Sequence, residues 1–193
     1  MIDEHLPLAD VAAIIAEHLQ RHGIQMCVIG GSAVTVHAPV IYTSLDIDLA
    51  ILTGIKRRHL EPMLQQLGYS KRGRSFVHAR SKWTVDIVAD TPYIGDRAIR
   101  EFAEIRTRHG IVRTYVLEDA IADRVAGWLF WSDSEALAVA CNVLAGKVRE
   151  ISWQRVSDAI LALDASDPMT AQRREFALSE LRRVYSSNGG LFE

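Results

Sequence analysis

The sequence has 193 residues, of which 49% are apolar and 24% charged, and its formal net charge is −2. This composition is typical of a folded protein with one large domain or two small ones, and it argues against wholesale disorder. No apolar run approaches the ~18 residues of a membrane helix, and the acidic start Met1–His5 differs from a signal peptide. Because Cys27 and Cys141 stand alone in separate apolar settings, we expect free thiols, a cytoplasmic location and no membrane partner.

Residues 1–116 show the pattern of an α/β core. Helical spacing of apolar residues predicts a helix over Leu8–Leu19 that ends at His22-Gly23. The next predicted elements are a strand over Gln25–Ile29, a short helix capped by Ser32 and running to about His37, and a strand over Asp46–Leu52. A helix over Lys56–Leu67 and strands over Tyr69–Arg72, Phe76–Ala79 and Trp83–Ala89 follow. After a loop over Asp90–Asp96, we predict a short helix to Phe102 and a hairpin of Ile105–His109 and Ile111–Val116.

Residues 117–193 have the texture of a helical domain. Amphipathic helices are predicted over residues 117–130, 133–146, 152–163 and 170–185, and a loose tail over 186–193. An α/β core followed by a helical domain predicts an α+β fold, in which a mixed sheet flanked by helices precedes a C-terminal helical bundle.

The second predicted strand opens with two carboxylates, Asp46 and Asp48, separated by Ile47. Side chains alternate between the faces of a strand, so the two carboxylates share one face, roughly 6.6 Å apart along the backbone. Two unpaired carboxylates placed together repel each other, and their burial is costly. A divalent cation is the simplest partner that makes the arrangement favourable.

A glycine-rich turn precedes these carboxylates. Strand residue Ile29 runs into Gly30-Gly31-Ser32, and thirteen residues separate Ser32 from Asp46. A turn of this kind before a helix presents backbone N–H groups to phosphate. A phosphate-binding turn together with metal-binding carboxylates indicates nucleotide chemistry.

This pattern resembles the signature of the minimal nucleotidyltransferases of the DNA polymerase beta-like superfamily. The matching positions are Ile29, Gly30, Gly31 and Ser32, then Asp46, Ile47, Asp48 and Leu49, with Asp86 in Trp83–Val88 as the third carboxylate. Within the superfamily, the chain resembles most the AbiEii and MenT toxin-like nucleotidyltransferases and related bacterial proteins. Ser44, two residues before Asp46, and the segment Leu117–Trp128 with Trp131–Asp133 carry that finer resemblance, which spans about residues 20–150.

The resemblance implies a nucleotidyltransferase-type sheet and an enzyme that moves a nucleoside monophosphate from a nucleoside triphosphate to an acceptor hydroxyl, releasing pyrophosphate. Mg²⁺, with Mn²⁺ as a substitute, would be held by Asp46, Asp48 and Asp86, which would form the catalytic set. The nucleotide would be bound by Gly30, Gly31, Ser32, Ser44 and Arg124. The acceptor in the toxin group is the 3′ end of a transfer RNA, which adds a cognate antitoxin as a partner.

Several of these positions have a second interpretation. Toxin members commonly carry Arg at the position of Tyr42 and often Lys at the position of Arg124. Tyr42 is either a supporting residue of the site or an aromatic residue of the core. Arg124 is a phosphate ligand or half of a surface ion pair with Asp123 or Glu118. Asp133 is a supporting site residue or a helix N-cap, and Asp90 is the alternative third carboxylate.

Positive charge is concentrated in residues 56–82. Eight basic residues stand there against Glu61 alone: Lys56, Arg57, Arg58, Lys71, Arg72, Arg74, Arg80 and Lys82. The segment is a groove wall that binds transfer RNA or other RNA, or it is ordinary solvated surface.

Three other functions remain open at this stage. In the first, the same reaction has a protein or a small molecule as its acceptor. In the second, the carboxylates belong to a metal-dependent nuclease. In the third, the chain is a catalytically silent binding module. A nuclease does not need the Gly30–Ser32 turn, and a silent module does not need all three carboxylates.

Overall fold

The computed structural model describes residues 2–192, apart from the side chain of Arg57. Their α helices are α1 (Leu8–Arg21), α2 (Gly30–His37), α3 (Glu61–Gln66), α4 (Leu117–Phe130), α5 (Ala136–Gly146), α6 (Trp153–Leu161) and α7 (Pro168–Ser187). The strands are β1 (Met26–Val28), β2 (Asp46–Ile51), β3 (Tyr69–Arg72), β4 (Ser75–His78), β5 (Thr84–Ala89), β6 (Tyr93–Ile94), β7 (Arg97–Ala98), β8 (Phe102–Thr107) and β9 (Gly110–Tyr115). Short 3₁₀ helices occupy Arg57–His59 and Val148–Glu150.

Seven strands form one mixed sheet in the order β3-β4-β5-β2-β1-β9-β8. The pairs β2–β5 and β1–β9 are parallel, and the other neighbours are antiparallel. The strands β6 and β7 form a separate hairpin. This arrangement confirms the predicted α+β fold, with helices on both faces of a mixed sheet and four helices after the last strand.

Each face of the sheet contributes to its own hydrophobic cluster. On one face, Ile47, Leu49 and Val85 pack with apolar residues of α1 and with Leu64 of α3. On the other face, Cys27 and Ala50 pack with buried residues of α2, α4, α5, α6 and α7. The second cluster combines residues from both sides of position 116, where the chain passes from β9 into α4. The division into domains 1–116 and 117–193 stays a prediction.

Most predicted elements form close to their predicted limits, and three differ. The predicted helix 56–67 is a 3₁₀ turn followed by the shorter α3, because Pro62 is accommodated only in the first turn of a helix. The predicted short helix before Phe102 is wrong, since this stretch contains β7 of the β6–β7 hairpin. The tail is not detached, because Phe192 packs edge-on against Trp153 and Tyr185.

Two further expectations concern the cysteines and the membrane. Cys27 is buried and Cys141 is half-buried, and both are free thiols. Within residues 2–192, no helix has the length and apolar character that crossing a bilayer requires.

Candidate active site

Three carboxylates converge on one face of the sheet, at the start of β2 and in the middle of β5. Strands β2 and β5 run parallel in a register that places Asp48 opposite Asp86. Asp46 precedes Asp48 by two residues and therefore points to the same face. One carboxylate oxygen from each residue lies within 4.8 Å of the others. The predicted convergence of Asp46, Asp48 and Asp86 is thus confirmed, while their catalytic role stays a prediction.

The donor set of this carboxylate cluster fits a hard divalent cation. All three side chains are half-buried, and Asp86 Oδ1 is buried without a hydrogen-bond partner among the described residues. A buried carboxylate oxygen without a partner is costly unless a cation or another donor compensates for it. Carboxylate oxygens are the preferred ligands of Mg²⁺ and Mn²⁺. Asp46, Asp48 and Asp86 can therefore hold such an ion.

Electrostatics within the cluster favour a proton or a metal ion on Asp48. Burial, together with the negative charges of Asp46 and Asp86, raises the pKa of Asp48 from 3.8 to about 7, and Arg124 opposes this shift. A carboxyl group with such a pKa is partly protonated near neutrality. A cation would displace that proton and relieve the repulsion.

The glycine turn lies directly against Asp48. Gly30 has φ +63°, and a Cβ atom built on it would be 2.7 Å from Asp48 Oδ2. A Cβ on Gly31 would be 3.0 Å from the Tyr42 hydroxyl and 3.4 Å from Ser44 Oγ. The N–H groups of the first turn of α2 have no acceptor within their own helix. The absence of a side chain at both glycines thus lets the backbone of the turn pack directly against Asp48, Tyr42 and Ser44.

Ser32 connects the glycine turn to β2. Its hydroxyl donates to the Ile29 carbonyl at 2.7 Å and accepts the Asp48 N–H at 3.0 Å, and the side chain is fully buried. The predicted helix cap at Ser32 is wrong, because α2 begins at Gly30 with Ile29 in the capping position. Both hydrogen bonds hold the turn and Asp48 together, while nucleotide contact by Ser32 stays a prediction.

Ser44 and Thr35 position the first carboxylate. The Ser44 hydroxyl donates to Asp46 Oδ1 at 3.0 Å. The Thr35 hydroxyl accepts the Ser44 N–H at 2.8 Å and donates to the Gly31 carbonyl at 3.2 Å. Thr35 is a residue that the sequence interpretation missed, and its only local signal is a polar side chain in an apolar helix. This chain of contacts fixes Asp46 relative to the glycine turn.

Arg124 of α4 supplies positive charge near the carboxylate cluster. Its guanidinium donates to Asp123 at 2.6 Å and lies 3.7 Å from Asp133. Burial alone would lower the pKa of Arg124, but the adjacent Asp123 outweighs burial and raises it. The expected ion pair between Arg124 and Asp123 forms, but it is largely buried rather than on the surface, because the two side chains are only 14% and 11% exposed. The sequence interpretation named Asp123 as a partner of Arg124 but did not count it as part of the site.

Asp133 lies beside Arg124 but does not begin the next helix. Its carboxylate accepts the Glu135 N–H at 3.2 Å, and α5 starts at Ala136. Asp133 therefore shapes the loop between α4 and α5, and Asp90, just beyond β5, is not a member of the carboxylate cluster.

No protein-family model and no curated protein matches the sequence significantly. A crystal structure of an antigenic nucleotidyltransferase-like protein from Paracoccidioides brasiliensis matches with a TM-score of 0.51 and 12% identity, over 99% of this chain and 96% of that one. The chain has a nucleotidyltransferase-type fold.

Structures of the antibiotic-resistance factor ANT(2'')-Ia are also similar. Its solution structure matches with a TM-score of 0.44 and 16% identity, over 93% of each chain. Its crystal structure in complex with adenylyl-2''-tobramycin matches with a TM-score of 0.46 and 14% identity, over 92% of this chain and 98% of that one. The assignment of the nucleotidyltransferase-type fold therefore rests on the structure of the protein from Paracoccidioides brasiliensis.

Proposed function

We propose that the protein is a divalent-metal-dependent nucleotidyltransferase that moves a nucleoside monophosphate from a nucleoside triphosphate to an acceptor hydroxyl. The observation that carries this proposal is the convergence of Asp46, Asp48 and Asp86 within 4.8 Å, directly beside the Gly30 turn. A nuclease would use the carboxylates but has no use for that turn. A silent module would have no reason to place three carboxylates together, because their repulsion is unfavourable.

Each group has a distinct role in this proposal. Asp46, Asp48 and Asp86 hold Mg²⁺ or Mn²⁺, which when bound supplies Lewis-acid stabilisation of the negative charge on the transferring phosphate. The N–H groups at Gly30 and Gly31 receive the triphosphate at the start of α2. Arg124 neutralises phosphate charge, and Ser44 and Ser32 keep Asp46 and Asp48 in place. The acceptor hydroxyl loses its proton to solvent as its oxygen forms a bond to the α-phosphorus, and the bond from the α-phosphorus to the departing pyrophosphate breaks.

We further propose that the acceptor is the 3′ end of a transfer RNA. In this proposal the protein is a cytoplasmic toxin that is neutralised by a cognate antitoxin. The support for this finer assignment is the sequence resemblance and the excess of seven positive charges in residues 56–82. The free thiols Cys27 and Cys141 suit a reducing compartment. A protein or small-molecule acceptor is the alternative outcome of the experiment below.

The experiment incubates the protein with each labelled nucleoside triphosphate, Mg²⁺ or Mn²⁺ and total cellular RNA, and asks which fraction carries the label. We expect label on RNA, and its loss in Asp86→Asn but not in Asp90→Asn, which removes a nearby exposed carboxylate. Label on the protein itself or on a small molecule would show that the acceptor is not RNA. Absence of labelled product with every nucleotide, or equal labelling by both variants, would overturn the proposed function.

A further inference from the structure

The carboxylate face of the sheet continues beyond Asp86 onto a basic hairpin. Asp86 of β5 pairs with Ser75 of β4, and Ser75 pairs with Arg72 of β3. Residues directly opposite in neighbouring strands project to the same face. Arg72 therefore lies on the same face as Asp86, two strand spacings or about 10 Å away, which is within reach of a ligand bound at the carboxylate cluster.

This part of the face is uncovered, whereas the opposite face of the same strands is packed. Tyr69, Phe76 and Val85 are buried in the cluster formed with α1 and α3. On the carboxylate side, Ser70 and Arg72 are exposed, and Val88 is 59% exposed. The residues of β3 and β4 on this side belong to neither hydrophobic cluster. We call this uncovered surface of β5, β4 and β3 the acceptor face.

Not all basic residues of the segment 56–82 lie on the acceptor face. Lys71 alternates with Arg72 and points to the packed face, where it lies 3.5 Å from Glu61. Lys82 stacks over the Trp83 ring at 4.6 Å. Among the contacts of the described residues, Arg72 has no ion-pair or hydrogen-bond partner of its own. Arg72 is thus a cation on the acceptor face that can pair with a ligand anion.

The sheet order separates the two substrates. In the order β5-β2-β1, the Gly30 turn and α2 follow β1 on one side of Asp48, and Asp86 lies on the other side. Arg124 of α4 belongs to the side of the turn, since α4 packs against α2 and β9. A triphosphate on the turn leaves the side of β5, β4 and β3 for the attacking hydroxyl.

We propose that the acceptor face binds the single-stranded 3′ end of an RNA, and that Arg72 pairs with a phosphate preceding the terminal nucleotide. This inference rests on the proposed function and adds the site where the acceptor lies. Charge complementarity favours this occupant, because an RNA end carries phosphates that lead away from its terminal hydroxyl toward the hairpin. A cationic acceptor would find no partner in Arg72. Ser70 and Ser75 add hydroxyl groups to the same face.

The test compares Arg72→Ala with Lys71→Ala, which removes the neighbouring positive charge from the opposite face of the same strand. The probe is a short fluorescent single-stranded RNA with a free 3′ hydroxyl, titrated by anisotropy at several salt concentrations. We expect Arg72→Ala to weaken binding about tenfold, as the loss of one charge-assisted contact does, and to reduce the logarithmic salt slope by about 0.7. Lys71→Ala should leave both values close to wild type.

A second measurement is the affinity for nucleoside triphosphate by calorimetry, which Arg72→Ala should not change. Equal effects of the two substitutions on RNA binding, or no effect of either, would overturn the acceptor face. A parallel loss of nucleotide affinity in Arg72→Ala would overturn it as well, because Arg72 would then belong to the triphosphate side. If the wild type transfers no label but the selective loss of RNA binding persists, the acceptor face stands and the proposed catalytic function fails.

Discussion

The Asp48 carboxyl group lies beside two other carboxyl groups and is largely removed from water. Its pKa of about 7 exceeds the ordinary value of 3.8, so the folded metal-free protein binds a proton more tightly than the unfolded chain does. Stability from this group is therefore fully present below about pH 4 and is lost as the pH rises through 7. Above pH 7, the folded state carries the full repulsion of the ionised carboxylate cluster.

We predict that Asp48→Asn stabilises the metal-free protein at pH 8 by about 2–4 kcal/mol, since a shift of three pKa units corresponds to about 4 kcal/mol. At pH 4, the free energy of unfolding should change little, because Asp48 is already neutral in the folded state. Nucleotidyl transfer should fall by at least about 10²-fold, because a metal ligand is lost. Urea denaturation at both pH values and a label-transfer assay measure these effects. Destabilisation at pH 8, or unchanged transfer, would contradict the assignment of Asp48.

A second residue-scale prediction concerns Gly30→Ala, which combines an unfavourable backbone angle with a clash against Asp48 Oδ2. Gly54→Ala is the matched control, because Gly54 has a similar φ of +65° but no atom within 4 Å of a Cβ. Gly54→Ala should cost about 1 kcal/mol of stability through backbone strain alone. Gly30→Ala should cost more and should also weaken nucleotide and metal binding. The measurements are thermal denaturation and calorimetric affinities, and equal results for both variants would exclude the close approach at Gly30.

At the scale of elements, Arg173 of α7 ties two helices together. Its guanidinium donates to the Trp128 carbonyl at 2.6 Å and the Leu129 carbonyl at 3.3 Å, and it stacks 4.3 Å from the centre of the Trp128 ring. These carbonyls belong to the last turn of α4, where helical acceptors are otherwise unpaired. Arg173 thereby stabilises the helix that carries Arg124.

We predict that Arg173→Ala lowers the free energy of unfolding by about 2 kcal/mol, because hydrogen bonds from a charged donor are lost at a helix end. The control is Arg183→Ala on the same helix, whose side chain is 66% exposed and pairs with Glu180 three residues away. Its loss should be within about 0.5 kcal/mol of zero. Chemical denaturation of both variants measures the difference, and equal stability of the two would refute the proposed link between α7 and α4.

The elements show which parts of the fold are readable from the sequence. Strands β2 and β5 were predictable because their apolar residues alternate with Asp46, Asp48 and Asp86, and this pattern is local. Strand β6 was predicted as part of a loop and β7 as part of a short helix, because two-residue strands are too short to show a period of two. Its turn at Gly95-Asp96 was the only local signal for a hairpin.

The candidate site shows the same division between local and long-range information. The carboxylate cluster follows from strand alternation and from an apolar strand around Asp86. The role of Thr35 depends instead on where α2 packs, which no residue pattern near it encodes. The pairing of Asp123 with Arg124 is local in sequence, but its burial depends on where α4 packs. That Arg72 rather than Lys71 shares the face of Asp86 was not predictable, because it depends on the observed registers of β3, β4 and β5, and a shift of one residue would exchange the two faces.

At the scale of the whole molecule, metal binding should be visible as a change in stability that depends on pH. We predict that Mg²⁺ or Mn²⁺ raises the thermal midpoint of the wild type more at pH 8 than at pH 5.5. At the lower pH, a proton on Asp48 competes with the metal ion and weakens its binding. Because an ion that binds only the folded state stabilises it more when it binds more tightly, the gain in stability should be smaller at pH 5.5. Thermal scanning with metal and with chelator measures this gain, with Asp48→Asn as the control that should lose most of it. An equal gain at both pH values would show that the ion binds elsewhere.

The position of β1 in the sheet has a consequence for synthesis of the chain. β1 pairs with β2, which follows within about twenty-five residues, and with β9 through Val28 and Thr114, which are 86 residues apart. A nascent chain therefore contains the glycine turn and all three carboxylates before the second neighbour of β1 exists. Until β9 emerges, one edge of Met26–Val28 is an unpaired apolar strand, the kind of surface that templates association between chains. Completion of the sheet and protection of β1 from association thus both depend on β9, which is synthesised late, and on α4, which follows it in the chain.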